Sequence, residues 1–265
     1  MKFDKNYTQY WSAAVNKSVD GTIIAGENEA KTMLKYLNLK REDLVLDLGC
    51  SFGRMYEALS KYSDKVFGVD VDAYAVQKAK SQSYIDVRVG SGENTNFEDA
   101  SFNAIFCWAV FELVNHKKGF IEFNRILKNN GKLLLTGKNN NYYKDDMLAF
   151  KAEKNASLKD YPNRFSDLKV IVKNIKVLGF EIDKIILFPN RGDMGLLKFI
   201  DEGNIPKDKY IGYEYLIICH KISEPKLNKF NDLKLENPTS NTSIELAKSA
   251  GFDSVKEFFL SIGID

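Results

Sequence analysis

Apolar residues recur along this chain at two periods. Ala30, Met33, Leu34 and Leu37 fall at i, i+3, i+4 and i+7, which is one face of a helix. Phe120, Phe123 and Leu127 share another such face, and Leu168, Ile171, Val172 and Ile175 a third, with Gly179 as a stop. Between them lie short apolar runs bounded by polar or glycine positions. Residues 44–48, 65–70, 85–89, 103–108, 131–136, 180–188 and 213–220 are the runs that predict strands. These runs are near-continuous rather than alternating. That is the pattern of strands covered by helices on both faces, as in a parallel sheet. The expectation is a doubly wound α/β domain of about seven strands.

Three segments follow from this pattern: an N-terminal helical cap over residues 1–28, a main domain over 29–222, and a linker with a helical annex over 223–265. The cap holds Tyr7, Tyr10 and Trp11, which read as core or cap aromatics, with a lid as the alternative. The annex carries Pro225 and Pro238, then two short helical patterns at 243–249 and 254–262, with Asp253 placed to cap the second.

Composition narrows the picture. The 265 residues carry 38 Lys+Arg against 36 Asp+Glu, so the net charge of +2 argues against a broad electrostatic grip on nucleic acid. No run approaches the ~20 apolar residues that span a bilayer, and the first residues lack an apolar export core. Cys50, Cys107 and Cys219 form neither a disulfide framework nor a metal pair. A cytoplasmic setting without membrane partner or metal is expected.

Candidate chemistry concentrates in the turn after the first strand, Asp47-Leu48-Gly49-Cys50-Ser51-Phe52-Gly53-Arg54. Gly49 lets the backbone pass close to a ligand, and Gly53 lets the next helix pack tightly. Asp70 ends the second strand, where a carboxylate reaches a ribose diol. A dinucleotide fingerprint would need glycines at 49, 51 and 54. Ser51 and Arg54 stand in two of those places, which disfavours a pyrophosphate-binding oxidoreductase. The turn suits a ligand without phosphate, with a cationic or amino group near Asp47.

This turn resembles motif I of the class I S-adenosylmethionine-dependent methyltransferases, D-x-G-x-G-x-G, with Ser51 where that family has glycine. Val66-Phe67-Gly68-Val69-Asp70 resembles the second motif. Gly90-Ser91-Gly92-Glu93 resembles the adenine-lining G-D-A-E segment, with Ser91 in the acidic place. Asn124 to Leu133 resembles the helix-to-strand join of the family. The resemblance runs from about Leu37 to Lys221 and implies a Rossmann-like sheet with an antiparallel last strand. It also implies S-adenosyl-L-methionine as cofactor. The positions carried over for it are Asp47, Gly49, Cys50, Ser51, Gly53, Asp70, Val71, Gly92, Glu93 and Trp108.

An alcohol acceptor needs its proton removed as the methyl group arrives. Groups at the carboxyl ends of strands are the candidates: Glu112 and His116 after the fourth, residues 138–141 after the fifth, and Asn190, Arg191 and Asp193 after the sixth. Glu112 and His116 are taken as the catalytic pair, against the alternative of an exposed helix start. Cys107 reads as an inert core thiol. Cys107-Trp108-Ala109-Val110 is not the N-P-P-Y signature of amino-directed nucleic-acid enzymes. A small polar acceptor follows, with a sugar or nucleotide-linked sugar hydroxyl favoured, Arg191 being placed to meet a phosphate. Residues 189–212 are read as a lid. A methyltransferase of another small metabolite, or a catalytically silent cofactor-binding protein, is the alternative.

Overall fold

The computed structural model describes residues 27–143, 146–157, 163–201, 210–229 and 233–236, with isolated positions between 248 and 261. Residues 1–26 of the expected cap and most of the annex's two helical patterns therefore lie outside the described residues, while 27 and 28 open the first helix.

The described elements are six α-helices and nine strands in one sheet. The helices are α1 (Glu27–Met33), α2 (Tyr56–Ser60), α3 (Ala73–Ala79), α4 (His116–Ile126), α5 (Met147–Ser157) and α6 (Leu168–Asn174). The strands are β1 (Leu44–Leu48), β2 (Lys65–Asp70), β3 (Asp86–Val89), β4 (Phe102–Cys107), β5 (Leu127–Asn139), β6 (Phe165–Ser166), β7 (Phe180–Phe188), β8 (Ile200–Asp201) and β9 (Glu214–Lys221). The strand order is β3-β2-β1-β4-β5-β9-β7-β8, with β6 pairing β5. Pairs within β3-β2-β1-β4-β5 are parallel, whereas β9 runs antiparallel between β5 and β7. The α/β class is as expected, but the sheet exceeds seven strands. The two additions, β6 and β8, are two residues each and too short to show as apolar runs.

Alternation along each strand sorts side chains to two covered faces. Leu46, Ile105, Leu133, Leu135 and Ile217 meet Phe120, Phe123 and Ile126 of α4 and Leu168 and Ile171 of α6. Val45, Ala104, Phe106, Leu134, Leu216 and Ile218 meet Ala30 and Met33 of α1, with Ala58 and Leu59 of α2. Each fully buried Leu, Ile or Phe contributes about 1.5–3 kcal/mol. Double coverage is thus what makes this sheet a stable platform.

Local signals set the helix ends. Asn115 caps α4 by accepting from the Lys118 amide at 3.1 Å, and Asp72 caps α3 by accepting from Tyr74 at 2.9 Å. Helix α4 stops where Leu127 turns extended and opens β5, so β5 starts earlier than the apolar run suggested. Leu233 and Leu235, placed by sequence in the linker, are buried in the main core.

Candidate active site

The order reverses between β1 and β4, so a crevice opens at their carboxyl ends, the usual ligand position of open α/β sheets. The turn after β1 fills its floor. The amides of Gly49 and Cys50 both donate to Val69 O, at 2.8 and 3.0 Å, stitching the turn onto β2. Gly49 and Gly53 have φ of +75° and +84°, where a side chain is strained. At Gly49 a Cβ would also stand 2.3 Å from Val110 Cγ2.

Two carboxylates flank this turn. Asp70 accepts from the Ser51 amide through Oδ2 and from the Asp72 amide through Oδ1, both at 2.9 Å. Its lone pairs are not exhausted by one bond per oxygen. Asp47 is 3% exposed, and its Oδ2 accepts from Tyr84 Oη at 2.7 Å. Burial above all pushes the Asp47 carboxyl up to about 7; Asp70 adds to the rise, while the Tyr84 hydroxyl and Arg54 oppose it. Burial likewise raises Asp70. A cation arriving here would relieve both carboxylates.

Of the other cofactor positions, Trp108 stacks on Phe106 with centroids 6.1 Å apart, on the face of the sheet that Asp47 shares. Val71 is half-buried beside Asp70. The Cys50 side chain packs among Val76, Ala79 and Val87, so it is a core group and only its backbone belongs to the turn. Gly92 lies under the Val114 side chain. Glu93 is a brace: its Oε1 accepts from the Asn115 amide at 2.8 Å, and Lys118 stands 3.7 Å from Oε2.

The two catalytic candidates separate. His116 is 0% exposed and stacked on Phe111 at 4.0 Å, and neither ring nitrogen finds a hydrogen-bond partner among the described residues. Burial, with Arg164 adding, lowers its pKa to about 3. This corrects the sequence reading on both counts, since the imidazole is neither an exposed helix start nor a rim base.

Glu112 stays at the rim. Its Oε1 lies 3.9 Å from Lys138 Nζ, and its carbonyl accepts from the Arg164 amide. Lys138 in turn pairs in register with Glu214, the first residue of β9. Burial pushes Glu214 up to about 7, Lys138 and Arg191 opposing and Glu112 and Asp146 adding. The Arg191 side chain hydrogen-bonds Tyr213, and its amide donates to Asp146 Oδ2 at 2.7 Å. Asp146, Met147, Leu148, Asn190 and Arg191 line a cleft of about 320 Å³.

Sequence reading missed Tyr84, Tyr213, Asp146 and Glu214 as site residues. Only Glu214 carried a signal, as a lone carboxylate opening an apolar strand. Residues 202–209 of the expected lid lie outside the described residues. Among those described, no helix is long and apolar enough to cross a membrane.

Fold and turn together define a Rossmann-like α/β protein whose turn after β1 lacks the glycine spacing of a dinucleotide site. Residues 46–135 match the family model described as a methyltransferase domain. The chain is 28% identical over 155 residues to the uncharacterized protein MJ0638 of Methanocaldococcus jannaschii, covering 58% of this chain and 60% of that protein. It is 29% identical over 123 residues to the uncharacterized methyltransferase YcgJ of Bacillus subtilis, covering 44% and 49%. The matches thus span about half to three-fifths of these curated relatives. In fold it is similar to an S-adenosylmethionine-dependent methyltransferase of Thermotoga maritima, with a TM-score of 0.56 and 20% identity over 82% of this chain and 95% of that one. Over residues 46–135 the chain is thus similar to methyltransferase domains, and S-adenosyl-L-methionine is the cofactor that this match implies.

The residues present fit that cofactor. Two buried carboxylates with raised pKa suit a cationic, diol-bearing ligand. The buried Ser51 Oγ has no hydrogen-bond partner among the described residues. Asp70 would hold the ribose, Asp47 the amino end, and Gly49 the close approach.

Proposed function

We propose that this protein is a methyltransferase acting on a small polar acceptor, with a hydroxyl of a sugar or nucleotide-linked sugar as the favoured target. When bound, the cofactor supplies an electrophilic methyl group on a sulfonium. The protein then has to align an acceptor and take up its proton.

The observation that carries this reading is the rim cluster of Glu112, Lys138 and Glu214. These groups come from β4's following turn, β5 and β9, and stand at the strand ends that bound the crevice. Carboxylates accept from sugar hydroxyls and Lys138 donates to them, so the cluster is suited to a polyol. Glu214, held near 7, is poised to accept a hydroxyl proton at neutral pH. Glu112 stands 3.9 Å from Lys138 Nζ and balances its charge. Arg191 is engaged by Tyr213 and flanked by Asp146 and Glu214, which supports a sugar hydroxyl over a phosphate at that point.

The test is methyl transfer from radiolabelled cofactor to a panel of sugars and nucleotide-linked sugars, with product mass and linkage determined. A gain of one methyl on a hydroxyl, reduced about 100-fold or more in Glu214→Gln, is expected. Transfer to a nitrogen acceptor alone would remove the hydroxyl reading.

A further inference from the structure

The ladder between β5 and β9 ends at Lys138 and Glu214. Beyond that pair the two segments part, and their buried backbone carbonyls need donors from elsewhere. One side chain supplies them. Asn139, the last residue of β5, is 0% exposed, and its amide donates to Tyr213 O at 2.8 Å. Its Nδ2 donates to Asn141 O at 2.9 Å, to Tyr210 O at 2.8 Å and to Gly212 O at 3.0 Å, so two N–H groups serve three carbonyls. Its Oδ1 accepts from the Leu168 amide at 3.2 Å, at the start of α6. A single carboxamide thus joins the end of β5, the stretch leading into β9 and the helix after β6.

The backbone it holds is the one that carries the acceptor side of the site. Lys138 precedes Asn139, and Glu214 follows Tyr213. The Tyr213 amide donates to Phe188 O at 3.0 Å, and its side chain hydrogen-bonds Arg191. Lys138, Arg191, Glu112 and Asp146 are the charged groups that face Glu214. All four are side chains with rotamers to spare, whereas Asn139 fixes main chain. Its polar atoms are engaged by backbone, so any effect it has on an acceptor passes through Tyr213 and Glu214.

We infer that Asn139 is a positioning residue for methyl transfer, its carboxamide setting where Tyr213 and Glu214 stand at the mouth of the crevice. The inference rests on the acceptor reading above and deepens it. It separates the two halves of the site, because Asn139 acts on the acceptor rim and not on the turn after β1.

The experiment compares the parent chain with Asn139→Asp, which keeps the Leu168 bond but removes the N–H donors, and with Asn139→Ala. Calorimetry reads S-adenosylhomocysteine affinity, and transfer to the hydroxyl acceptor found in the sugar panel gives kcat and KM. Carbon NMR of labelled glutamate reads the Glu214 carboxyl. Both variants are expected to bind S-adenosylhomocysteine within about twofold of the parent, with kcat lowered about 10- to 100-fold and KM little changed. In Asn139→Ala the Glu214 titration is expected to move down from about 7 as water reaches the carboxyl. A merely structural asparagine would lower stability but leave kcat per cofactor-binding site and the Glu214 titration unmoved, and that result overturns the inference. Loss of S-adenosylhomocysteine binding in both variants overturns it too, because Asn139 would then support the whole fold. A parent chain that methylates no hydroxyl overturns the acceptor reading instead, and the Glu214 titration still decides what Asn139 does.

Discussion

Tyr84 and Asp47, 37 residues apart, are joined by a 2.7 Å hydrogen bond from the phenol to Oδ2. The Tyr84 ring lies 4.7 Å from that of Tyr56 and closes against Gly53, so the bond is held from behind. The hydroxyl is one of two groups that favour the ionised carboxyl, Arg54 being the other, against burial and Asp70.

If Asp47 holds the cofactor's amino end, as proposed, it must be ionised to do so, and its carboxyl is pushed up to about 7. Affinity for S-adenosylhomocysteine is therefore expected to rise about tenfold from pH 6 to pH 8. Tyr84→Phe removes a group that lowers the pKa, so the midpoint moves upward and binding at pH 7 weakens. Asp47→Asn flattens the profile. Calorimetric titration across this range checks all three, and a profile identical in parent and Asp47→Asn would refute the assignment. In the free protein the sign reverses: the raised pKa means stability is present below the usual carboxylate range and is lost as pH rises through 7.

Gly49→Ala should destabilise by about 2–4 kcal/mol, through positive φ and the clash with Val110 together. The two causes are separable. Val110→Ala in the same chain opens the space but leaves the backbone strain, so rescue is expected to be partial. Denaturant unfolding of the four chains of this cycle gives the split, and full rescue would mean that φ at Gly49 is of no consequence.

His116 offers a pH test of the opposite kind. Its pKa is lowered to about 3, so the folded protein keeps it neutral while the unfolded chain takes up a proton below about 6.5. Stability is therefore lost as pH falls from 6.5. His116→Phe keeps a ring against Phe111 without the two unpaired nitrogens. The variant should be the more stable one, and its advantage should widen by about 2 kcal/mol between pH 7 and pH 5. Thermal unfolding at the two pH values decides, a constant gap being the contrary result.

Glu236 fastens the C-terminal segment to the main domain. Its Oε1 accepts from the His116 amide at 2.8 Å and its Oε2 from Arg164 at 3.0 Å. Truncating either Glu236 or Arg164 to Ala should cost about 1–3 kcal/mol, and the double variant less than the sum. Additive losses in chemical unfolding would show that the two residues do not act as a pair.

The elements covered on both faces were legible in the chain because their runs are long and apolar; β1, β2 and β7 fall where the pattern puts them. The cofactor turn was legible because glycine spacing and a carboxylate at a strand end are local features. What the pattern hid was non-local. Nothing near His116 in sequence reveals that Glu236, 120 residues on, accepts from its amide. Tyr84 stands just before β3 and gains its partner only when β1 and β2 lie side by side. Glu93 is carried over as a cofactor position, and nothing near it in sequence reveals that it also accepts from the Asn115 amide at the start of α4.

Because β9 runs against its neighbours, it meets the rim with its first residue rather than its last. Glu214 is thus both anchored, by ladder bonds to two strands, and adjacent to the long connection that follows β7. Lengthening or rewriting that connection would re-dress the mouth of the crevice without shifting Glu214 relative to Lys138. A scaffold wired in this way can change what the mouth admits while the pairing of Glu214 with Lys138 stays as it is.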